Sequence, residues 1–307
     1  MKINEEILTN SDSFNRLNDI FFKYVLASPE RKYLTVEFIN SVLKFYDKTP
    51  LTVEDIIFLD RESVAKHEGE KVPRFDIFMR SSDGRLIHIE VQDAQDNFFL
   101  ERSFYYACHD YMLQSKRGLG YENFKPVIFI GLVNFNLMGV SNEPRQWYAL
   151  HRVLNVADNK CNFNNVEFHM IELPVLRQQW RKIKKMPSNK LEKFLFYFGN
   201  IGGNKMIQEL AEKDETIADL LAEEKLFRTD PLRMRNYYIE ERARADYWAN
   251  AEVFRAEGLE QGLEQGLEQG RMDNAIKVAK ALKLRGDYTD EEIAEIAGLS
   301  VDVVKNL

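Results

Sequence analysis

The hydrophobic pattern of the chain changes period twice. Between residues 14 and 45, Phe21, Val25, Leu34, Phe38, Val42 and Phe45 recur at helical spacing and SPER at 28–31 interrupts them, which predicts two helices. From Asp55 the period falls to two. EDIIFL, RFDIFM and RLIHIEV read as strands, and SSDG between the last two marks a hairpin turn. NFFLERSFYYACHDYMLQ, residues 97–114, returns to helical spacing. PVIFIGLVNF and VEFHMIEL then read as strands, the first apolar enough to be buried on both faces. Helix, β hairpin, helix and strand in that order predict an α/β core ending near residue 175.

Strand signals stop past residue 190, where EKFLFYFG, NKMIQELA and the run 231–256 read as helices of mixed charge. Residues 258–270, GLEQGLEQGLEQG, are a four-residue repeat, and on a helix Leu259, Leu263 and Leu267 rotate by about 40° per step. Each glycine costs about 1 kcal/mol against alanine in a helix, so the segment is either a helix supported by a partner surface or a flexible connector. The helical connector is the preferred expectation. In the tail, Thr289 and Glu292 form a capping box, Gly298 stops the helix and Ser300 starts another. Asp290, Glu291, Glu292, Glu295 and Asp302 outnumber Lys305 there, which favours a small packing or assembly module over a phosphate reader. The expected organisation is a domain at 1–190, a helical extension at 191–257, a connector at 258–272 and a helical module at 273–307.

Composition narrows the picture. The 307 residues carry a formal net charge of −7, so a DNA contact has to be local rather than spread over a basic surface. The densest basic stretch is RQQWRKIKK, residues 177–185, where Arg177, Arg181, Lys182, Lys184 and Lys185 surround Trp180. It reads either as a phosphate-contacting patch with a stacking indole or as a solvated face. The opening MKINEEILTN lacks a basic segment followed by an apolar run, and no later stretch approaches the roughly 20 apolar residues of a membrane span. A soluble, cytoplasmic protein is expected. Cys108 and Cys161 lie far apart without CxxC spacing and are read as reduced thiols. GxxxxGK[ST], HExxH and GxSxG are all missing, which disfavours nucleotide hydrolysis, zinc proteolysis and α/β-hydrolase chemistry.

Candidate chemistry concentrates in the hairpin. On RLIHIEVQ, residues 85–92, His88, Glu90 and Gln92 share one strand face. With SDG as a three-residue loop and Gly84 left-handed, Ser81 pairs with Arg85 and Asp76 falls opposite Glu90, Cβ atoms about 4.5–5.5 Å apart. Two opposed carboxylates need a proton or a cation between them. Mg²⁺ or Mn²⁺ suits such a pair, polarising a phosphoryl oxygen and lowering the pKa of a coordinated water, while Gln92 is placed to orient the water. The alternative is a solvent-facing edge hairpin on which these side chains do nothing. His88 is left without a role.

A carboxylate before a turn followed by a strand ending in Glu-x-Gln resembles the Rpn-type recombination-promoting nucleases and related transposases of the PD-(D/E)XK nuclease superfamily. NDIFFKYVL and FINSVL are similar to its opening helices, and RFDIFM with IHIEVQ to its metal-binding hairpin. RSFYY, Gln114, GYENFKPVIFIGLV and IEL at 171–173 are similar to its later elements, so the likeness covers about residues 14–175. The resemblance implies a restriction-endonuclease-like mixed sheet flanked by helices, followed here by an all-helical C-terminal region. It also implies Mg²⁺-dependent cleavage of DNA, with Asp76, Glu90 and the Val91 carbonyl as metal ligands. Asp19 and Glu37 are candidates for an accessory acid on an opening helix. Arg102, Tyr105 and Tyr106 match family positions on the helix after the hairpin, where Arg102 is a candidate phosphate contact and the tyrosines are expected to pack on the sheet. Gln92 stands where much of the superfamily has lysine, and it lacks a charge for the transition state. A catalytically inactive DNA-binding or assembly protein is therefore the competing expectation, and the helical C-terminal region is the expected place for homo-oligomer contacts.

Overall fold

The computed structural model describes residues 14–46, 53–59, 76–115, 117–118, 120–137 and 145–307. The chain divides into two compact units, residues 1–240 and 241–307. The first described helices of the first unit are α1 (Asp19–Leu26) and α2 (Lys32–Leu43), joined by a short 3₁₀ turn at Pro29–Arg31 where SPER breaks the periodicity. Asn18 caps α1 by accepting from the backbone N–H groups of Ile20 and Phe21. Next come β1 (Ile56–Phe58), β2 (Ile77–Ser81), β3 (Leu86–Gln92), α3 (Phe99–Leu113), β4 (Val127–Val133), β5 (Tyr148–Val153) and β6 (Phe163–Glu172). Four helices follow: α4 (Leu173–Ile183), α5 (Lys190–Phe198), α6 (Gly203–Ala211) and α7 (Glu215–Thr229).

Among the described residues the strands form one six-stranded mixed sheet in the order β1-β2-β3-β4-β6-β5. β3, β4 and β6 run parallel, and β1–β2, β2–β3 and β5–β6 are antiparallel. The sheet flanked by helices is the architecture the resemblance implies. β4 is buried at every position, as its unbroken apolar run requires. β5 has no counterpart in the sequence reading: its alternation is spoiled by His151 and Arg152, and pairing with β6 makes it a strand.

The two faces of the sheet differ. Ile77, Met79, Ile87, Ile89, Val91, Ile128, Ile130, Leu132 and Ile171 join one core with Phe21, Phe22, Val25, Leu34 and Phe38 of α1 and α2 and with Phe194, Phe198, Leu220 and Phe227 of α5 and α7. Helices past residue 190 are thus built into the first unit's core. α3 covers the other face, where Phe99 packs with Phe129, Val133, Phe135 and Met170, and Ala107 with Leu86 and Val127. Gly131 makes this approach feasible, because a Cβ there would lie 2.9 Å from Phe99 Cε1 and 3.0 Å from Met170 Sδ. Gln114, at the end of α3, clamps the entry to β4 by donating to the Lys125 carbonyl (2.9 Å) and accepting from the Lys125 N–H (2.8 Å).

α8 (Pro231–Arg285) is one continuous helix that includes the GLEQ repeat, in agreement with the preferred expectation. In the second unit Leu259, Leu263 and Leu267 are exposed. α9 (Asp290–Ala297) begins with the expected capping box of Thr289 and Glu292 and stops at a left-handed Gly298, φ 67°. α10 (Val301–Lys305) begins at Ser300. Ala279, Ile293, Ala294 and Val304 form this unit's small core, and Lys283 Nζ donates to the Val304 carbonyl at 2.6 Å.

Candidate active site

The β2–β3 turn has the geometry on which the carboxylate pairing depends. Gly84 has φ +92°, its N–H donates to the Ser81 carbonyl (2.9 Å), and the Ser81 N–H donates to the Arg85 carbonyl (2.9 Å). Asp83 braces the loop by accepting from Arg85 Nε at 2.8 Å. The ladder runs from Arg80 opposite Leu86 to Ile77 opposite Ile89, so Asp76, one residue further back, meets Glu90. The Asp76 N–H donates to Glu90 Oε2 at 3.2 Å, and Asp76 Oδ2 accepts from the Val91 N–H at 2.9 Å.

This polar face is not solvated. Asp76 and Glu90 are each 7% exposed and His88 is 1% exposed, which overturns the solvent-facing alternative. α3 covers them with matching chemistry at matching intervals. The four steps along β3 from His88 to Gln92 span about 13 Å, and the eight steps along α3 from Arg102 to Asp110 span about 12 Å. At one end His88 Nε2 lies 2.6 Å from Asp110 Oδ2, with the imidazole stacked on Phe78 (centroids 4.5 Å, 14°). At the other end Arg102 Nη2 donates to Gln92 Oε1 at 3.1 Å and lies 3.6 Å from Glu90 Oε1. His88 therefore registers α3 on the hairpin, a role that a single-strand pattern cannot reveal.

Two cations from different helices flank the acids. Lys23 Nζ of α1 is 2.7 Å from Asp76 Oδ1 and 3.5 Å from Asp19 Oδ2. Arg102 is held from behind by Asp96 (2.7 Å), with its guanidinium carbon 5.6 Å from the Phe99 ring centroid. Burial, and next the Asp76 carboxylate, raise Glu90 well above the usual carboxylate range, while Arg102 and the Asp76 N–H pull the other way. The acid pair is a place of excess negative charge into which the fold already directs positive groups. Mg²⁺ commonly uses one or two carboxylates with water and phosphate oxygens, and Asp76 with Glu90 fits that minimum. No group of three or more His, Cys, Asp or Glu side chains suited to a metal occurs among the described residues.

Other sequence-predicted residues divide. Asp19 reaches the site through the shared Lys23. Glu37 does not: its carboxylate accepts from Thr216 Oγ1 and lies 3.5 Å from Lys190, a network on the helices rather than at the hairpin. Arg177 is turned inward, donating to Asn134 Oδ1 from both Nη atoms (3.2 Å each) and to the Gly199 carbonyl (3.1 Å). Burial, and then Arg181, lower its pKa. An arginine so engaged braces the strand ends, and these bonds occupy the guanidinium that the sequence reading offers to DNA. Arg181, Lys182, Lys184 and Lys185 are exposed around the end of α4. Trp180 is not an open stacking platform, since its ring packs edge-on against Phe196 at 6.1 Å. Tyr106 packs against the α3-side core, whereas Tyr105, 42% exposed, departs from the expected packing.

Sequence reasoning missed Lys23 and Asp96, whose relevance depends on where α1 and the β3–α3 loop fold. It also missed the chain of contacts beside Gln92, where Asp93 accepts from Asn134 Nδ2 (2.7 Å) and Asn15 Nδ2 (2.9 Å). At the same end of the sheet, in register with Gln92 through Val133, the buried Glu172 accepts from Arg145 Nη2 at 2.5 and 2.6 Å. Its only sequence signal is the strand-end IEL.

No helix among the described residues is long and apolar enough to cross a membrane. No curated protein and no solved structure matches the chain. One family model does match, over residues 16–253, running past residue 175 through α5–α7 and into α8, consistent with those helices supplying core to the first unit. That match covers well over half of the sequence, and with the mixed sheet and the hairpin's buried acids it places the chain among the PD-(D/E)XK nuclease family transposases.

Proposed function

We propose that the protein is a metal-dependent endonuclease that hydrolyses DNA phosphodiesters, acting in the cytoplasm in recombination or mobile-element movement. The observation that carries this reading is the buried Asp76–Glu90 pair, aligned by the hairpin register and flanked by two cations. Asp76 and Glu90 would hold Mg²⁺ or Mn²⁺, with the Val91 carbonyl as a third oxygen and Asp19 as an accessory acid. The ion would supply Lewis-acid polarisation of a phosphoryl oxygen and a water of lowered pKa. Gln92, fixed by Arg102 at 3.1 Å, orients the attacking water with its amide. The exposed Arg181, Lys182, Lys184 and Lys185 hold backbone phosphates at a distance from the reaction, and self-association runs through the helical C-terminal region.

Nicking of supercoiled plasmid with Mg²⁺ or Mn²⁺ tests the site. Asp76→Ala and Glu90→Ala are expected to abolish nicking, and cutting at the parental rate by either variant refutes the assignment. The neutral Gln92 favours a second reading, a DNA binder on the same fold without turnover. That protein would bind DNA in a salt-dependent way, cut with no divalent ion and show no calorimetric metal affinity.

A further inference from the structure

Phosphodiester hydrolysis makes a demand on charge. Hydrolysis forms a bond from phosphorus to the water oxygen and breaks one P–O ester bond; the water proton passes to solvent and the leaving oxygen takes one back. Negative charge grows on the phosphoryl group in between, and a fixed cation there is worth far more than one that must be recruited. Position 92 offers an uncharged amide.

We propose that Arg102 supplies from α3 the charge that position 92 lacks, so that Gln92 and Arg102 act together as one divided residue, the amide orienting water and the guanidinium meeting the phosphate. This rests on the nuclease reading. Three observations carry it. Arg102 Nη2 lies 3.1 Å from Gln92 Oε1, so the positive charge begins one hydrogen bond beyond the tip of residue 92. A lysine at 92 would carry its charge about one bond further out than that oxygen, toward the same region. The guanidinium is also fixed before substrate arrives: Asp96 holds Nη1 at 2.7 Å, and Phe99 lies beneath it, seated against the sheet where Gly131 leaves room. Finally, its side chain is 32% exposed, open to a phosphate, although the neighbouring Glu90 and the Asp76 that pairs with it are buried.

Lys23 is the other cation at the site and is the poorer candidate. Its ammonium sits 2.7 Å from Asp76 Oδ1, the oxygen a divalent ion needs, and two cations cannot share that position. Of the two acids Arg102 meets Glu90, at 3.6 Å through Nη2, while Asp96 anchors its Nη1 at 2.7 Å.

The test uses the full chain as parent, Arg102→Ala, Arg102→Ala with Gln92→Lys, and Asp76→Ala. Single-turnover nicking is followed with Mg²⁺, DNA affinity by fluorescence anisotropy with Ca²⁺, and Mn²⁺ affinity by calorimetry. Arg102→Ala is expected to lower the cleavage rate by about 10²–10³-fold, to change DNA affinity less than about threefold, and to leave Mn²⁺ affinity equal or higher. Adding Gln92→Lys is expected to recover at least about tenfold of that rate. Should Arg102→Ala melt below the assay temperature, Arg102→Gln removes the charge with less loss of volume and carries the same expectations. Parental cleavage by the Arg102 variants overturns the inference, as does a loss confined to DNA affinity, which would make Arg102 an ordinary phosphate contact. Failure of lysine to rescue a folded variant overturns it as well. If Asp76→Ala cuts like the parent, or the parent does not cut at all, the nuclease reading itself has failed and the inference falls with it.

Discussion

Replacing Glu90 by glutamine separates the stability of the fold from the needs of the site. Burial and the adjacent Asp76 carboxylate raise Glu90 above its ordinary value near 4.5, and the opposing pull of Arg102 and the Asp76 N–H does not cancel them. The folded protein therefore holds a proton at pH values where the unfolded chain has released it. As pH rises from about 4.5 through the folded-state value, stability falls, and above that value each unit of elevation costs about 1.4 kcal/mol. Glu90→Gln removes the ionisation and keeps an oxygen for the Asp76 N–H. The variant is expected to melt above the parent at pH 8 in metal-free buffer, by about 2–4 °C for each kcal/mol relieved in a unit of this size. The gap should shrink as pH falls toward 4.5. Mg²⁺ at about 100 times its dissociation constant should raise the parent by about 2.7 kcal/mol and the variant by less, narrowing or reversing the gap at pH 8. Differential scanning fluorimetry across pH, with EDTA and with Mg²⁺, reads all of this. A gap that widens on acidification, or a variant less stable than the parent at pH 8 in EDTA, refutes the reasoning.

Three further substitutions probe the supports of the site. Asp110→Ala removes the 2.6 Å partner of the buried His88 Nε2 and is expected to cost about 1–3 kcal/mol, whereas His88→Phe with Asp110→Ala, which gives Phe78 another ring to stack on, should recover most of it in urea melts. A double variant as unstable as the single one would count against the pairing. Gly131→Ala places a methyl 2.9 Å from Phe99 and is expected to cost about 1–3 kcal/mol and to slow nicking by shifting the ring under Arg102; an unchanged melting temperature contradicts this. Lys23→Met removes the ammonium at Asp76 Oδ1 and should strengthen Mn²⁺ binding severalfold in calorimetry, and weaker binding would show that Lys23 assists the ion rather than competing with it.

The hairpin was legible because its information is local. A left-handed Gly84 and a three-residue loop fix the register, register fixes Asp76 against Glu90, and the alternation of RLIHIEVQ fixes which side chains share a face. What covers that face is not local. Nothing in HIEVQ shows that Asp110 and Arg102 lie over it, since the two are set by how Phe99 and Ala107 seat α3 on the sheet. The same limit applies to the partners of other candidate residues. Glu37 and Arg177 have the residue types a nuclease site uses, but Thr216, Lys190 and Asn134 come from elements distant in sequence and claim them. β5 is a strand by virtue of β6 rather than of its own pattern.

The site's charge is consequently a property of three elements. The hairpin contributes two acids whose proximity is unfavourable by itself, α1 brings Lys23 to one of them and α3 brings Arg102 to the other. A lysine carried on β3 itself would need only the strand to be in place. On the proposed division of roles, the positive charge beside Gln92 comes from Arg102 on α3, a helix held to the sheet in part by the His88–Asp110 contact and the close approach at Gly131. The division has a measurable consequence: substitutions at Asp110 or Gly131, on the covering helix or under it, should slow cleavage through Arg102 while leaving the affinity of the hairpin carboxylates for Mn²⁺ nearly unchanged. Cleavage and metal affinity falling together in Gly131→Ala would mean instead that the hairpin, and not α3, had moved.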